Sequence, residues 1–167
     1  MNRMRDLYVI AHDMRSTFNV GSLFRTAEGL GIKKIYLSGY TPYPKQTGDT
    51  RLPHISDKLT TQIQKTALNA TETMDWEYEP DVFKIIHNLE ASGVTVAALE
   101  QTEKAVSVVE YKAPPKLALL LGTEVTGLPE EIYSRIKAHL VIPMHGKKES
   151  FNVVQAAAMA LFELRFH

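Results

Sequence analysis

The chain contains no cysteine. That excludes disulfides, thiolate zinc sites and a cysteine nucleophile together. It has no excess of either charge, since 19 Lys and Arg stand against 19 Asp and Glu. Its six histidines (His12, His54, His87, His139, His145, His167) are scattered, with no pair at metal-ligand helical spacing, so no metal site is expected. No apolar run approaches the ~20 residues of a membrane-spanning helix. The opening Met-Asn-Arg-Met-Arg-Asp leads straight into a short apolar strand, without the apolar region or cleavage site of a signal peptide. The expected compartment is the cytoplasm, with no membrane partner. Two nucleotide signatures are also missing. No glycine-rich loop ends in Gly-Lys-Ser/Thr, and no Gly-x-Gly-x-x-Gly occurs, which disfavours a phosphate-loop or Rossmann nicotinamide enzyme.

What is present fits one domain over residues 1–167, because this length with 44% hydrophobic content suffices for a substantial core. Neutrality hides an uneven distribution. Residues 1–58 carry nine Lys/Arg against five Asp/Glu, residues 59–110 three against nine, and residues 111–167 seven against five. Backbone contacts to RNA need local Lys/Arg rather than a high global pI. An ordinary mixed, solvated surface explains the same counts.

Hydrophobic pattern and turn signals predict alternating strands and helices. Leu7–Ala11 reads as a buried strand and Val20–Leu30 as a helix closed by Gly31. A strand at Lys33–Leu37 precedes a Gly/Pro/Thr-rich loop from Ser38 to about Pro53, long enough to be functional or mobile. Helical pieces follow at Lys58–Asn69 and Asp81–Ser92, with a short strand at Trp76–Glu79 between them. Val94–Leu99 and Lys116–Leu121 lean to strand, and Pro129–Lys137 to a helix with Pro in its first turn. Leu140–Pro143 is a strand and Asn152–Phe166 the last helix. The alternation indicates an α/β fold with a mostly parallel sheet flanked by helices. The last helix is apolar almost all round, where a surface helix shows one polar face. Either its own domain covers both sides, or one side meets a partner chain.

Three segments place polar residues near strand ends, where open parallel sheets bind ligands. The first is Asn19-Val20-Gly21-Ser22-Leu23-Phe24-Arg25-Thr26-Ala27. Arg25 there is either a surface side chain with a packed stem or a deliberately placed charge. The second is Leu121-Gly122-Thr123-Glu124-Val125-Thr126-Gly127-Leu128-Pro129. Gly122 either lets a ligand approach the backbone or simply serves a strand-end turn. The third is Ile142-Pro143-Met144 followed by Ser150-Phe151-Asn152-Val153, with Ser and Asn where a helix begins.

In this order and spacing the three segments resemble the signature motifs of the SpoU (TrmH-like) branch of the SPOUT RNA methyltransferases, over nearly the whole chain from Tyr8 to Phe166. The resemblance implies a sheet with a C-terminal trefoil knot. It also implies S-adenosylmethionine held at Leu99, Glu100, Gly122, Ile142, Met144, Ser150, Asn152 and Val153. The reaction implied is methyl transfer to a ribose 2′-hydroxyl, with Arg25, Asn19, Glu124, Ser150 and Asn152 as the catalytic set. Phe151 departs from the Leu common at that position, and Gln155-Ala156 from small polar residues. The first strand begins by residue 7, so the extra N-terminal RNA-binding domain of many relatives is expected to be absent. The expected partners are therefore RNA, tRNA before rRNA, and a second copy of the chain in a homodimer. A non-catalytic RNA- or cofactor-binding module of the same fold is the rival reading. A flavodoxin-like nucleotide-binding enzyme is the third.

Overall fold

Lys116–Leu121 is apolar at every position after the first, and a strand can bury such a run only where both faces of its sheet are covered. The computed structural model, which describes residues 4–167, shows that arrangement. Strands β1 (Asp6–His12), β2 (Lys34–Ser38), β3 (Trp76–Tyr78), β4 (Thr95–Leu99), β5 (Val106–Ser107), β6 (Lys116–Leu121) and β7 (Ala138–Val141) form one sheet in the order β3-β2-β1-β6-β4-β7-β5. Every pairing between these strands is parallel. The helices are α1 (Thr17–Gly29), α2 (Pro53–Ala67), α3 (Ala70–Thr73), α4 (Val82–Ala91), α5 (Glu130–Tyr133) and α6 (Val153–Phe166).

Side chains alternate across the sheet with the two-residue strand period. Leu7, Val9, Leu117, Leu119 and Leu121 join the core beneath α1, α2 and α6. Ile10, Ala118, Leu120, Val96 and Ala98 join a second core with Val82, Ile85, Ile86 and Leu89 of α4 and Ile132 of α5. Truncating one of these fully buried leucines to Ala costs about 2–5 kcal/mol.

Several element boundaries differ from the sequence expectation. Helix α1 starts three residues before Val20 because Ser16 caps it, its hydroxyl accepting the Asn19 N–H. The loop before it is thus shorter than Asp13–Asn19, and Asn19 sits in the first helical turn. Pro53 opens α2, five residues ahead of Lys58, at the helix position where a missing N–H costs nothing. The helix expected over Pro129–Lys137 is one regular turn. The two-residue β5 was not anticipated.

The topology fixes where a ligand site belongs. β1 and β6 are neighbours, yet β2 and β3 continue the sheet on one side and β4, β7 and β5 on the other. The chain leaving β1 enters α1 on one face of the sheet, whereas the chain leaving β6 enters α5 on the other. Loops that part in this way open a crevice at the carboxyl ends of the strands.

Candidate active site

The first motif segment lies in α1, which follows the loop after β1; the second forms the loop after β6; the third leads into α6. Glu124, just past β6, reaches across to the start of α1. Its carboxylate accepts the backbone N–H of Ser16 at 3.0 Å, that of Arg15 at 3.2 Å and the Asn19 side-chain amide at 3.1 Å. A carboxylate suits this place, because a helix start presents unpaired N–H groups and partial positive charge. Partial burial works against the charged form, but these hydrogen bonds outweigh it and hold the Glu124 carboxyl below the ordinary Glu value.

Asn19 passes the connection on. Its side-chain oxygen accepts from the Asn152 amide at 3.4 Å, and Asn152 caps α6 by accepting the N–H groups of Val154 and Gln155. Glu124, Asn19 and Asn152, one from each motif, therefore form a continuous hydrogen-bonded chain between residues more than a hundred positions apart. Arg25 stands apart from it. Six residues beyond Asn19, it lies about 9 Å further along α1. It is exposed and forms no hydrogen bond or ion pair with the described residues.

Next to this chain lies a cavity of about 300 Å³, at the small end of the range for ligand pockets. Six of the expected cofactor positions line it: Leu99, Glu100, Gly122, Ile142, Ser150 and Val153. Asn152 and Met144 do not. Asn152 belongs to the cap, and the Met144 sulfur lies 3.9 Å from the amide of Gln101, a residue that does line the cavity. Phe151, noted in the sequence only as a departure, lines the cavity as well. A larger recess, about 590 Å³, opens at the opposite ends of the strands. Its arginines already serve carbonyls: Arg5 those of Ala113 and Leu164, and Arg165 those of Arg5 and Gly31. It contains no motif residue.

The glycines have a more specific role than a ligand's approach. A Cβ on Gly122 would come within 2.5 Å of the Gly127 carbonyl carbon and the Leu128 nitrogen. The turn of its own loop, closed by hydrogen bonds between Thr123 and Gly127, excludes a side chain there. Glu100 braces the same turn by accepting the Leu128 N–H at 2.7 Å. Gly21, whose role the sequence reading left unassigned, lets α1 touch α2, since a Cβ would meet the Ile63 carbonyl oxygen at 2.2 Å. A glycine inside a helix costs about 1 kcal/mol relative to Ala, and that cost was the available signal of close packing.

Comparison with known proteins places the chain in a class. Residues 6–162 match the SpoU rRNA Methylase family, and the chain belongs to it. It is 26% identical to the 23S rRNA (guanosine-2′-O-)-methyltransferase RlmB of Acinetobacter baylyi, over 97% of this chain and 60% of that protein. Among solved structures, the AdoMet-bound rRNA methyltransferase from Sinorhizobium meliloti superimposes with a TM-score of 0.79 at 24% identity, covering 98% of this chain and 57% of the other. A structure bearing on 2-OH methylation of C/U34 on tRNA matches with a TM-score of 0.74 at 25% identity, covering 96% and 94%. The chain thus spans about 60% of the RlmB relative and nearly all of the C/U34 one.

Proposed function

We propose that this chain is an S-adenosylmethionine-dependent methyltransferase acting on a ribose 2′-hydroxyl of RNA. The observation that carries the reading is the Glu124–Asn19–Asn152 chain, which joins all three motif segments at the edge of one cavity. The cavity suits the cofactor. Leu99, Ile142, Phe151 and Val153 offer apolar walls, and three acidic residues in the lining, Glu100, Glu124 and Glu149, favour a cationic ligand. The relatives that bind AdoMet or methylate ribose support the same assignment.

When bound, the cofactor supplies a methyl group already activated by sulfonium charge. The protein's own task is to place the acceptor oxygen in line and stabilise the negative charge that grows on it. Arg25 is the cation for that charge, since no described protein group competes for its guanidinium, and it can also grip the adjacent phosphate bidentately. A guanidinium with pKa above about 12 is a poor base, so the hydroxyl proton passes to phosphate or water. Glu124 and Asn19 fix the start of the helix that bears Arg25. Ser150, exposed at the cavity wall, orients ribose or cofactor, and Asn152 locks α6 beneath it.

The same reading takes tRNA before rRNA, supported by the 25% identical structure bearing on methylation of C/U34 on tRNA. It includes a cytoplasmic enzyme whose described residues form one methyltransferase domain with the C-terminal knot of its family. Support for the knot is the tie between the segment after β7 and the loop after β4, where the Gln101 amide donates to the Glu149 carbonyl at 2.9 Å. It includes a homodimer, supported by Met159, Phe162 and Phe166, an exposed apolar stripe on α6. No described helix is long and apolar enough to cross a membrane.

Mass spectrometry of nucleosides from cells with and without the gene tests the activity. One 2′-O-methyl nucleoside should vanish with the gene and return when purified protein is incubated with the deficient RNA and S-adenosylmethionine. An unchanged nucleoside profile, with calorimetric binding of the cofactor intact, would instead assign a non-catalytic module.

A further inference from the structure

Tyr40 is 85% exposed, the most exposed aromatic side chain among the described residues. Its backbone, by contrast, is firmly held. Tyr40 follows β2 in a turn where Gly39 has φ of +61°, and a Cβ on Gly39 would come within 2.0 Å of the Asp13 carboxylate. Asp13 accepts the Tyr40 N–H at 2.7 Å, and the Tyr78 hydroxyl donates to the Gly39 carbonyl at 2.7 Å. Thr41 donates to the Ala11 carbonyl and accepts the Met14 N–H. These bonds fasten the turn to the loop between β1 and α1, the loop that Glu124 grips at Arg15 and Ser16. Tyr40 therefore belongs to the same rigid frame as the candidate active site.

The bonds to this turn involve its backbone and the neighbouring Thr41, so none of them needs a phenol ring at position 40. Tyr43, a few residues on, shows what an internally used ring looks like: it stacks on Tyr78 at 4.0 Å beneath the Arg51 guanidinium. The Arg15 side chain is exposed and forms no hydrogen bond or ion pair with the described residues, although its N–H is fixed. Arg15 is two positions from Asp13, a Cα reach of at most about 7 Å. An exposed ring and a guanidinium unpaired among the described residues are thus carried by two loops tied to each other, at the carboxyl edge of the sheet.

We infer that Tyr40 and Arg15 clamp an unpaired nucleotide flanking the one that is modified, its base on the ring and its phosphate on the guanidinium. Exposed aromatic rings bind single-stranded RNA by stacking on unpaired bases, whereas bases within a duplex are unavailable. The substrate class is therefore RNA with its target in a loop or other single-stranded region. The inference rests on the RNA methyltransferase reading above.

The test uses Tyr40→Ala, Tyr40→Phe and Arg15→Ala in the full chain, with total RNA from cells lacking the gene as methyl acceptor. Tyr40→Ala should raise KM for RNA by about 5- to 100-fold, the range for losing one stacked base. Its kcat should hold, as when uniform binding is removed. Tyr40→Phe should keep the wild-type KM. Arg15→Ala should reduce the slope of log affinity against log salt by about 0.7, one single-strand phosphate contact. A short single-stranded RNA carrying 2-aminopurine should lose fluorescence on binding wild type and retain it with Tyr40→Ala. Wild-type KM in both alanine variants overturns the clamp and leaves the methyltransferase reading standing. A changed sedimentation coefficient in Tyr40→Ala with KM intact assigns the ring to a protein contact and also overturns it. A wild type that transfers no methyl group to RNA overturns both readings.

Discussion

Replacing Glu124 with Gln tests whether the hydrogen-bonded chain between the motifs sets the site. The carboxylate accepts three donors through two oxygens: the Arg15 N–H, the Ser16 N–H and the Asn19 amide. An amide has one oxygen, so at least one donor must face an NH2 group and lose its partner. A hydrogen bond to a charged group is worth about 1.5–3 kcal/mol. Solvent reaches this side chain and discounts that, leaving about 1–2 kcal/mol. For a chain of this size the loss lowers Tm by about 2–8 °C. Methyl transfer should fall further, on the order of 10²-fold, because Asn19 and the helix bearing Arg25 shift together. The pH dependence has a definite sign. The folded carboxyl titrates below the ordinary Glu value. Its contribution is therefore complete above that value and is lost as pH falls through the lower folded one. Thermal unfolding by circular dichroism from about pH 3 to 8 should show a wild-type advantage that is flat at neutral pH and closes in acid. Equal Tm at neutral pH, or a gap that persists in acid, would refute the assigned role.

Arg25→Ala should reduce methyl transfer on the order of 10²–10³-fold, as removal of an oxyanion donor does; calorimetric S-adenosylmethionine affinity should stay within a few-fold, because Arg25 does not line the cavity. Gly122→Val should destabilise the fold by about 1–3 kcal/mol or more through a clash with the Gly127–Leu128 backbone, lowering Tm and weakening cofactor binding with it. Unchanged Tm with lost binding would instead give Gly122 a direct ligand role. Met159→Glu, on the exposed face of α6, should convert dimers to monomers in sedimentation with little loss of fold. A monomeric wild type at full activity would remove the dimer from the reading.

How much of this was legible in the sequence depends on which interactions decide each feature. Strand β6 was read residue for residue, because a doubly covered strand is a continuous apolar run, here closed by Pro115 and Gly122. The motif residues were legible as a set, and Asn19, Glu124 and Asn152 do converge. Their bonding was not, since it depends on strands that topology makes neighbours although the sequence keeps them far apart. Gly122 illustrates the limit. Its lack of a side chain suggested a ligand's approach, while the crowding atoms belong to its own loop. The α5 segment shows another: Pro129 marks where a helix starts and carries no information on where it stops.

The loop between β2 and α2 separates two properties that composition merges. Its Gly, Pro and Thr content predicted irregular backbone, and the backbone is irregular through to Leu52. Its length suggested a functional or mobile segment, and Arg51 ties the loop together. Its guanidinium bonds Asp49 and the carbonyls of Tyr43 and Pro44, and covers the Tyr43 ring at 3.5 Å. Tyr43 in turn stacks on Tyr78 of β3. Backbone irregularity follows from local φ/ψ preferences that a sequence displays directly. Order follows from side-chain tethers whose partners are identified only once the strands are placed. The hydroxyl of Tyr78 also holds the Gly39 turn beneath Tyr40. The tethers that order this loop are therefore continuous with those that hold the turn bearing the exposed Tyr40 ring.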